Sequence, residues 1–321
     1  MAKLVLGSDA GREAWLEHRR TGITASEIAI ILGLVPGQWG SPLALYLTKR
    51  GEIGEDDRDD DAMALGRYLE DFVCQRFAEQ HPEMVVAGDG LTLWAHAEHP
   101  WMLATPDRLV FDDEHGYSEW GDSLTAVLEA KTSNSKDEWG DGGTDEIPVR
   151  YRCQVLWQMH VMGVERAWVA CLFLQSRTVR SYEVTLDAAA EADIELMIAA
   201  AEEFLRRIAE GDPPDVDWTE ATSHALKQLH PDIVDREVTI PVRLATRYRR
   251  AHASLNLAKE RYKLAENEIR QRLGNGRVVS DPAGNVVATR QRYDVPARVI
   301  PHRAYAVDKL IMKREGEENG S

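Results

Sequence analysis

The pattern of hydrophobic and polar residues along the chain predicts helices alternating with short strands. Over residues 62–80 apolar residues recur at helical spacing, and the predicted buried stripe consists of Leu65, Leu69, Phe72, Val73 and Phe77. Extended segments are predicted over residues 84–96, 102–111 and 124–132, followed by a helix over 151–162, strands over 166–174 and 178–184, and an Ala/Glu-rich helix over 187–210. The predicted fold class is therefore α/β, with a central mixed β-sheet flanked by helices.

The first sixty residues are predicted to be mainly helical. One helix covers residues 13–20, and a second begins at Thr24 or Ser26, either of which is a suitable N-cap. A third helix begins at Ser41-Pro42 and runs through Lys49. The acidic run from Glu55 to Asp61 is expected to be a solvated loop.

The character of the sequence changes towards its C-terminus. We expect a first domain over residues 1–211, a linker over 212–240 and a basic helical and β-hairpin extension over 241–321. In the extension, apolar residues alternate at spacings of four and three, as in a heptad seam: Leu244, Tyr248, Ala251, Leu255, Ala258, Tyr262, Ala265 and Ile269. A β-hairpin is predicted around residues 281–285, and the tail 314–321 is expected to be disordered.

The heptad segment has two interpretations that the sequence leaves open. The structural one is a helix packed on the first domain or on a partner subunit, and the alanines of the seam favour such close packing. The functional one is a basic arm that follows DNA phosphates. The arm would consist of Arg247, Arg249, Arg250, Arg261, Lys263, Arg270 and Arg272.

The charge of the chain is unevenly distributed. Its 321 residues carry a formal net charge of −16, yet residues 241–321 hold 17 basic and 9 acidic residues. The acidic first part does not favour general nucleic-acid binding, although acidic residues also serve simply to solvate a surface. Three scattered cysteines, no secretory signal and no apolar run longer than residues 167–174 together predict a cytoplasmic protein without a membrane partner.

Two short motifs carry the candidate chemistry. Pro106-Asp107 precedes Glu129-Ala130-Lys131, which ends an apolar strand. On a strand, Glu129 and Lys131 share a face, and Ala130 points into the core while its carbonyl remains available to a metal. Carboxylates bind hard cations such as Mg²⁺ or Mn²⁺, and such an ion lowers the pKa of bound water and screens phosphate charge. The motif predicts hydrolysis of phosphodiesters.

Further polar residues lie beside this motif in the predicted elements. Glu70 is one residue away from the apolar stripe of its helix, so it is either a surface residue or a further carboxylate for the metals. Tyr151, Gln154 and Gln158 share one helix face. The glutamines are candidates to orient water or a phosphate, unless they are ordinary polar residues at the edge of the core.

Four sequence blocks together resemble the YqaJ-type viral recombinase family, which includes the phage lambda exonuclease and belongs to the PD-(D/E)xK nuclease superfamily. They are Trp15-x-x-x-Arg19 with Ile23-Thr24-Ala25-Ser26-Glu27, Gly66-x-x-x-Glu70, Thr105-Pro106-Asp107, and Glu129-Ala130-Lys131 with Tyr151-x-x-Gln154. The chain departs from the lambda-type pattern in its long C-terminal extension and in having Arg108, not glycine, after Asp107. Neither departure removes a predicted metal ligand.

The resemblance implies a role for each motif residue. Asp107, Glu129 and the Ala130 carbonyl would bind two Mg²⁺ ions, with Mn²⁺ as a substitute and with help from Glu70. Lys131 would act on the attacking water, and Gln154 would be the motif glutamine of the following helix. The DNA and its terminal 5′-phosphate would be bound by Arg19, Ser26, Thr24, Lys136 and Tyr151. For Arg19 an ordinary salt bridge, and for Ser26 an N-cap, are the alternatives.

The implied activity is a metal-dependent 5′→3′ exonuclease on double-stranded DNA ends, which leaves 3′ single-stranded tails. The implied partners are a single-strand annealing protein and further copies of the chain, assembled as a trimeric ring, in a bacterial or phage-infected cell. Two alternatives remain: a PD-(D/E)xK nuclease of other polarity or of endonuclease type, and a catalytically silent protein that binds DNA ends. Iron–sulfur nucleases are disfavoured because three cysteines cannot supply four thiolates.

Overall fold

A computed structural model describes residues 2–54, 61–88, 90–112 and 124–291. The chain divides into two compact units, Met1–Ile233 and Val234–Ser321. Most of the acidic run at 55–61 and the whole tail 314–321 lie outside the described residues, so the predictions for them are not addressed.

Unit 1 contains nine strands and seven helices among its described residues. In its first part these are β1 (Lys3–Leu6), α1 (Gly11–Arg19), β2 (Ile23–Thr24), α2 (Ala25–Ile31), α3 (Pro42–Lys49), α4 (Asp61–Gln80), β3 (Met84–Ala87), β4 (Leu93–Ala95) and β5 (Met102–Ala104). The second part contains β6 (Arg108–Asp112), β7 (Leu124–Ser133), α5 (Val149–Met162), β8 (Arg166–Phe173), β9 (Thr178–Thr185), α6 (Ala188–Glu210) and α7 (Glu220–Leu229).

The strands of unit 1 form two sheets. The larger has the order β3-β6-β7-β8-β9, and the smaller has the order β1-β4-β5-β2. In the larger sheet β7 and β8 are parallel, in a register that runs from Val127 opposite Ala167 to Ser133 opposite Phe173, and the other neighbours are antiparallel. Helix α5 connects the two parallel strands, as a parallel crossover requires. The predicted α/β class with a mixed central sheet is confirmed.

Helices cover both faces of the larger sheet. In β8, Val169 and Cys171 lie in the core cluster that contains the α5 residues Leu156 and Met159. The residues of β8 that alternate with Val169 and Cys171 lie in a second core cluster, together with residues of α4. Both faces of β8 are therefore apolar. A strand that is buried on both faces reads as a continuous hydrophobic run, and this explains the sequence of residues 166–173.

Helix α2 begins with a capping box. Thr24 is the N-cap, its side chain pairs with the backbone at Glu27, and the Glu27 carboxylate accepts a hydrogen bond from the Thr24 backbone N–H at 2.9 Å. Of the two predicted caps, the structure selects Thr24, while Ser26 is exposed in the first turn. The third helix begins as predicted, since the Ser41 hydroxyl accepts a hydrogen bond from the Ala44 N–H at 3.1 Å.

Two predictions differ from the structure. The predicted buried stripe of α4 holds at Val73 and Phe77, which are fully buried, whereas Leu65 and Phe72 are 44% and 47% exposed. Helix α4 packs on the sheet through the face that contains Leu69, Val73 and Phe77, so Leu65 lies before this contact and Phe72 lies outside it. Within the interval predicted as a linker, α7 forms a regular helix that packs against α3, and unit 1 extends to Ile233.

Unit 2 contains α8 (Val242–Leu273) and the hairpin of β10 (Val278–Ser280) and β11 (Val286–Thr289). The predicted hairpin is present, with its turn closed by hydrogen bonds to the Asp281 carboxylate. Helix α8 is 32 residues long and has no buried residue. None of the helices in the described parts of either unit is long and apolar enough to cross a membrane.

We predict that Gly22→Ala destabilises unit 1. A Cβ atom at Gly22 would lie 2.2 Å from the backbone oxygen of Trp101, which already accepts a hydrogen bond from the Ile23 N–H. Because backbone must move to relieve this clash, we expect the free energy of unfolding to fall by about 1–3 kcal/mol, measured by urea denaturation. Gly142→Ala is the matched control, since its added Cβ makes only an ordinary contact with Arg180, and an equal loss in both variants would contradict the explanation.

Candidate active site

The two predicted motifs meet at the centre of the larger sheet. Asp107 immediately precedes β6, and its Oδ2 accepts a hydrogen bond from the Ala130 backbone N–H in the neighbouring strand β7 at 2.7 Å. The strand's alternation places Glu129 and Lys131 on the α5 side, while Ala130 packs into the cluster on the α4 side. Sheet register thus brings residues that are far apart in sequence to one place.

The Glu129 carboxylate is the centre of the site. Its side chain is 4% exposed. Oε1 accepts hydrogen bonds from Lys131 and from Gln154 Nε2, the latter at 2.6 Å, and Oε2 accepts one from Gln158 Nε2 at 2.7 Å. A buried carboxylate is tolerated only when donors of this kind compensate for the water it has lost.

Lys131 is held as a cation. Burial lowers the pKa of its ammonium, but the charges of Glu129 and Asp107 outweigh that effect, and the pKa lies above its usual range. The ammonium also stands over the Tyr151 ring, 5.0 Å from the ring centre. Lys131 therefore acts as a fixed positive charge and a hydrogen-bond donor, and it is not a base at neutral pH.

The surroundings of Asp107 disfavour its charged form, whereas those of Lys131 favour its charged form. Burial and the nearby charge of Glu129 raise the pKa of its carboxyl well above the usual value, although Lys131 and the Ala130 N–H act against this. Two carboxylates that share a site repel each other, and a cation placed between them relieves the repulsion. The pair is therefore arranged to favour a bound positive charge.

Glu70 reaches the site from α4 through Arg108. The Arg108 guanidinium donates to Glu70 Oε1 at 3.2 Å and also contacts Asp71 and the Asp107 backbone oxygen. Burial raises the pKa of Glu70 even though Arg108 opposes the change. Gly90 lies against the same group, because a Cβ there would lie 2.8 Å from Glu70 Oε1. The structure thus brings Glu70 beside Asp107, with Arg108 between them.

The donor set suits Mg²⁺ or a similar hard cation. Among the described residues there is no group of three or more His, Cys, Asp or Glu side chains already arranged to hold a metal. Mg²⁺, however, commonly takes only one or two protein carboxylates and completes its shell with water and substrate phosphates. Glu129 Oε2 has a second lone pair, and Gln158 Oε1 is a buried acceptor with no partner in the described part of the chain. These residues fit a divalent ion that arrives with its own water or substrate ligands.

A second polar cluster joins α1, α2 and α3. Glu27 is 4% exposed, and its carboxylate forms ion pairs with Arg19 at 3.0 Å and with Lys49 at 2.8 Å. Burial raises the pKa of Glu27, but Lys49 and Arg19 more than offset this, so the pKa lies below its usual value. Lys49 also donates to the Gly22 backbone oxygen at 2.6 Å. This buried network fixes the positions of the predicted phosphate-binding residues.

Arg19 retains donor capacity within this cluster. Its guanidinium lies over the Trp15 ring at 4.9 Å, and its Nε is buried without a hydrogen-bond partner in the region described. The Thr24 and Ser26 hydroxyls lie 3.3 Å apart at the start of α2. In the described residues no hydrogen bond or ion pair connects this cluster to Asp107 or Glu129, but α2 packs directly on α5, which carries Gln154 and Gln158.

The remaining predicted residues lie around the carboxylate cluster. Tyr151 packs on Trp139 and beneath Lys131, so the predicted shared face of Tyr151, Gln154 and Gln158 does meet the motif strand. Lys136 follows the end of β7, with its ammonium 5.9 Å from the centre of the Phe173 ring. No contact in the described chain joins Lys136 to the carboxylates, and its role remains a prediction.

Three structural contributors were not identified from the sequence. Lys49 gave no signal, because nothing in its helix pattern distinguishes a buried lysine from a surface one. Glu27 fits the S/T-x-x-E capping pattern that begins at Thr24, which indicates its backbone contact but not its two cationic partners. Arg108 was noted only as a departure from the glycine of the lambda-type pattern, and the structure shows it paired with Glu70 and Asp71.

Fold and site together define an α/β protein with a buried carboxylate, lysine and glutamine cluster on its central sheet. The family model of the YqaJ-like viral recombinase domain matches residues 14–165 of this chain. A relative, described as uncharacterized protein YqaJ from Bacillus subtilis (strain 168), is 29% identical over 232 residues. The match covers 71% of this chain and 66% of that protein, which is just under two thirds of its length.

Solved structures with a similar fold include an alkaline exonuclease (LHK-Exo) from Laribacter hongkongensis, which is 20% identical with a TM-score of 0.43. That match covers 62% of this chain and 99% of the exonuclease. A structure of LHK-Exo in complex with dAMP is 21% identical with a TM-score of 0.47, over 62% of this chain and 95% of that one. At these values the likeness carries no argument about residues.

We predict that Asp107→Asn stabilises the metal-free protein. Asparagine keeps an acceptor for the Ala130 N–H and removes the charge that burial and Glu129 disfavour. We expect the melting temperature in EDTA at neutral pH to rise by a few degrees, as about 1 kcal/mol would produce in a protein of this size. The exposed Asp137→Asn is the matched control, with no comparable change.

The same variant has a defined pH dependence. Because the folded-state pKa of Asp107 is raised above its ordinary value of 3.8, the folded protein loses stability as pH rises from that value to the raised pKa, and the loss stays constant above it. Below that ordinary value the carboxyl is protonated in both states, and the variant should then have no advantage. A stabilisation that is equal at all pH values, or absent at neutral pH, would contradict the assignment.

Proposed function

We propose that the protein is a metal-dependent 5′→3′ exonuclease that acts on linear double-stranded DNA and leaves 3′ single-stranded tails for phage-type recombination by strand annealing. The observation that carries the proposal is the cluster of Asp107, Glu129 and Lys131 on one face of the sheet, with Gln154 hydrogen-bonded to Glu129. The family match supports a nuclease acting on DNA. The polarity and the preference for duplex ends rest on the resemblance of the sequence blocks.

Asp107 and Glu129, assisted by Glu70 and the Ala130 carbonyl, would hold one or two divalent ions. Mg²⁺ is the expected ion and Mn²⁺ a substitute. When bound, such an ion lowers the pKa of its water and neutralises phosphate charge, which is the chemistry that phosphodiester hydrolysis requires. The raised pKa of Asp107, caused by burial and Glu129, supports this assignment because it identifies a site that favours added positive charge.

Lys131 supplies fixed positive charge for the reaction. Held by Glu129 and standing over Tyr151, its ammonium can donate to the attacking water or to a non-bridging phosphate oxygen. Charge that develops on the phosphate in the transition state is then stabilised by a donor that needs no reorganisation. Since its pKa is raised by the two carboxylates, Lys131 orients and stabilises and does not remove the proton.

The two glutamines position the central carboxylate. Gln154 and Gln158 each donate to a different oxygen of Glu129, so together they fix the orientation of that carboxylate. The orientation of a metal-binding carboxylate is usually set by such hydrogen bonds. Gln154 and Lys131 both donate to Oε1 of Glu129, so the amide and the ammonium lie side by side.

Arg19, Ser26 and Thr24 would bind the terminal 5′-phosphate of the DNA. The Nε of the guanidinium has no hydrogen-bond partner among the described residues, and the hydroxyls stand at the start of α2. A helix start and an arginine together suit a phosphate dianion. Lys136 and Tyr151 are proposed to contact the DNA nearer to the carboxylate cluster.

The proposed partners follow from the activity. A 3′ single strand is the substrate of an annealing protein, and a cytoplasmic bacterial or phage-infected setting is where it would be made. By resemblance the enzyme would assemble as a trimeric ring around DNA. These assignments concern the whole protein and are proposals.

We predict that Lys131→Ala abolishes most of the nuclease activity. Loss of one preorganised donor of this kind typically lowers the rate about 10²–10³-fold. The measurement is the release of mononucleotides from linear duplex DNA in Mg²⁺, with EDTA expected to stop the wild-type reaction. The exposed Lys227→Ala on α7 serves as the control and should retain full activity.

Each outcome of that assay separates the proposed function from its alternatives. Internal cleavage of circular duplex DNA would favour an endonuclease, and release from 3′ ends would favour the other polarity. Binding to DNA ends without cleavage, by a folded protein in Mg²⁺ or Mn²⁺, would indicate a silent end-binding protein. Equal activity of wild-type protein and Lys131→Ala would remove Lys131 from the mechanism.

We predict that Arg19→Gln removes the preference for a 5′-phosphate. The variant keeps a polar side chain beside Glu27 but loses the charge that would bind the phosphate. We expect the ratio of initial rates on 5′-phosphorylated and 5′-hydroxyl duplexes to fall towards one, about a 10-fold change or more, which corresponds to one charge-assisted contact.

The neighbouring Arg20→Gln is the control, since Arg20 is exposed at the end of α1. It should retain the wild-type preference. If Arg19→Gln slows both substrates equally, the residue has a structural role through Glu27. A melting curve of each variant distinguishes this result from partial unfolding.

A further inference from the structure

Helix α8 carries a heptad seam that is exposed at every position except Ile269, which is half-buried. Four seam positions hold large side chains, at Tyr248, Leu255, Tyr262 and Ile269. Leu255 and Tyr262 are 52% and 72% exposed, and no residue of the helix is buried. A helix of 32 residues extends about 48 Å, and it derives little stability from its own propensity when its apolar face is solvated. The exposed seam therefore needs a partner.

The other seam positions hold small side chains. Ala251, Ala258 and Ala265 alternate with the large residues, and Leu244 completes the row. We propose that α8 pairs with α8 of a second copy of this chain as an antiparallel two-stranded coiled coil. This interface is independent of the nuclease activity proposed above.

The alternation of large and small residues selects the antiparallel orientation. In a parallel pair each residue faces its own copy, so layers of two tyrosines would alternate with layers of two alanines, and no single helix separation suits both. When one helix is reversed, the seam positions with large residues on that helix lie opposite the seam positions with small residues on the other. Every layer then contains one large and one small residue, or Leu244 with Ile269, and the separation is uniform along the helix.

One register satisfies all the layers at once. With Leu255 opposite Ala258 of the second copy, Tyr248 falls opposite Ala265 and Tyr262 opposite Ala251. Ile269 then falls opposite Leu244, and the two helices overlap along almost their whole length.

Charge favours the same orientation. The antiparallel register places Arg247 beside Glu268 of the second copy, twice by symmetry, whereas the flanking pair of His252 and Lys259 adds no attraction. A parallel pair would instead bring together the N-terminal halves of both helices, which lack acidic residues. Between residues 242 and 257 the basic side chains are Arg243, Arg247, Arg249 and Arg250.

The molar mass of the full-length protein tests the pairing. Paired α8 helices join chains two by two, so they would join two of the trimeric rings proposed above into an assembly of six chains. At micromolar concentration the wild-type protein should therefore contain an even number of chains, and Leu255→Glu should halve the molar mass measured by light scattering. Leu264→Glu is the matched control, because Leu264 is 61% exposed on the same helix but lies outside the seam, and it should leave the mass unchanged. An odd number of chains in the wild-type protein, or an unchanged mass of Leu255→Glu, would overturn the proposal.

Cross-linking tests the orientation. Tyr248→Cys on a tagged chain and Ala265→Cys on an untagged chain, expressed together, should be joined by a short bismaleimide into a mixed dimer. The native Cys74, Cys153 and Cys171 are buried and should give little background. Each variant expressed alone should remain uncross-linked, and self-cross-linking of either would indicate a parallel pair and contradict the assigned register.

The competing occupant of this helix is DNA, bound by its basic residues. Retention of a duplex oligonucleotide on the same variants separates the two possibilities. If Leu255→Glu leaves the mass unchanged, and replacement of Arg247 and Arg250 by glutamine weakens duplex binding in a salt-dependent manner, α8 is a DNA-binding arm and the pairing is wrong. Circular dichroism of each variant confirms that the helix remains formed.

Discussion

The burial of the Glu129 carboxylate is the constraint on which the rest of the site depends. A carboxylate buried in the middle of a sheet loses hydration worth several kcal/mol, and hydrogen-bond donors must offset this loss. Gln154 and Gln158 of α5 and Lys131 of the same strand supply those donors. The two glutamines reach Glu129 because α5 connects the parallel strands β7 and β8 and packs on that face of the sheet. The topology of the sheet and the charge at its centre are therefore mutually dependent.

The same burial makes the site electrostatically unfavourable in the absence of a cation. Burial and Glu129 together raise the pKa of Asp107, and burial raises that of Glu70. Arg108 compensates from the α4 side, where the lambda-type pattern has glycine, while Lys131 compensates from the α5 side. The pKa of Asp107 is raised in spite of Lys131. The folded protein thus retains a repulsion that a bound divalent ion would relieve, so stability and function oppose each other at this position.

Hydrophobic periodicity was sufficient to predict the central sheet and its helices, because residues such as Val169 and Cys171 face a continuous core. The positions of Asp107, Glu129, Lys131 and Gln154 were also accessible from motif spacing, although their roles remain proposals. Other features depend on tertiary contacts that no local pattern encodes. The exposure of Leu65 follows from where α4 leaves the sheet, α7 is amphipathic but short, and the burial of Lys49 depends on Glu27 being fixed by its capping box. Local sequence predicts the elements, whereas the partners of buried charges arise from their packing.

The two polar clusters of unit 1 follow one physical rule. In each, a buried carboxylate is matched by cations or amides, and one polar atom beside it has no hydrogen-bond partner within the described ranges: Gln158 Oε1 next to Glu129, and Arg19 Nε next to Glu27. A buried polar atom without a hydrogen-bond partner lowers the free energy of unfolding by about 1–3 kcal/mol. Such an atom beside a charged group indicates a position where a ligand would bind. Trp168 Nε1, Thr105 Oγ1 and Arg150 Nε are also unpaired among the described residues, so an orphan atom alone is not diagnostic. The two clusters differ in the charge beside the unpaired atom, which is acidic at Glu129 and basic at Arg19 and Lys49. Under the proposed function, the first would suit a metal ion and the second a phosphate. Because α2 packs directly on α5, a DNA end held at the second cluster would be positioned relative to the first by a rigid helix pair.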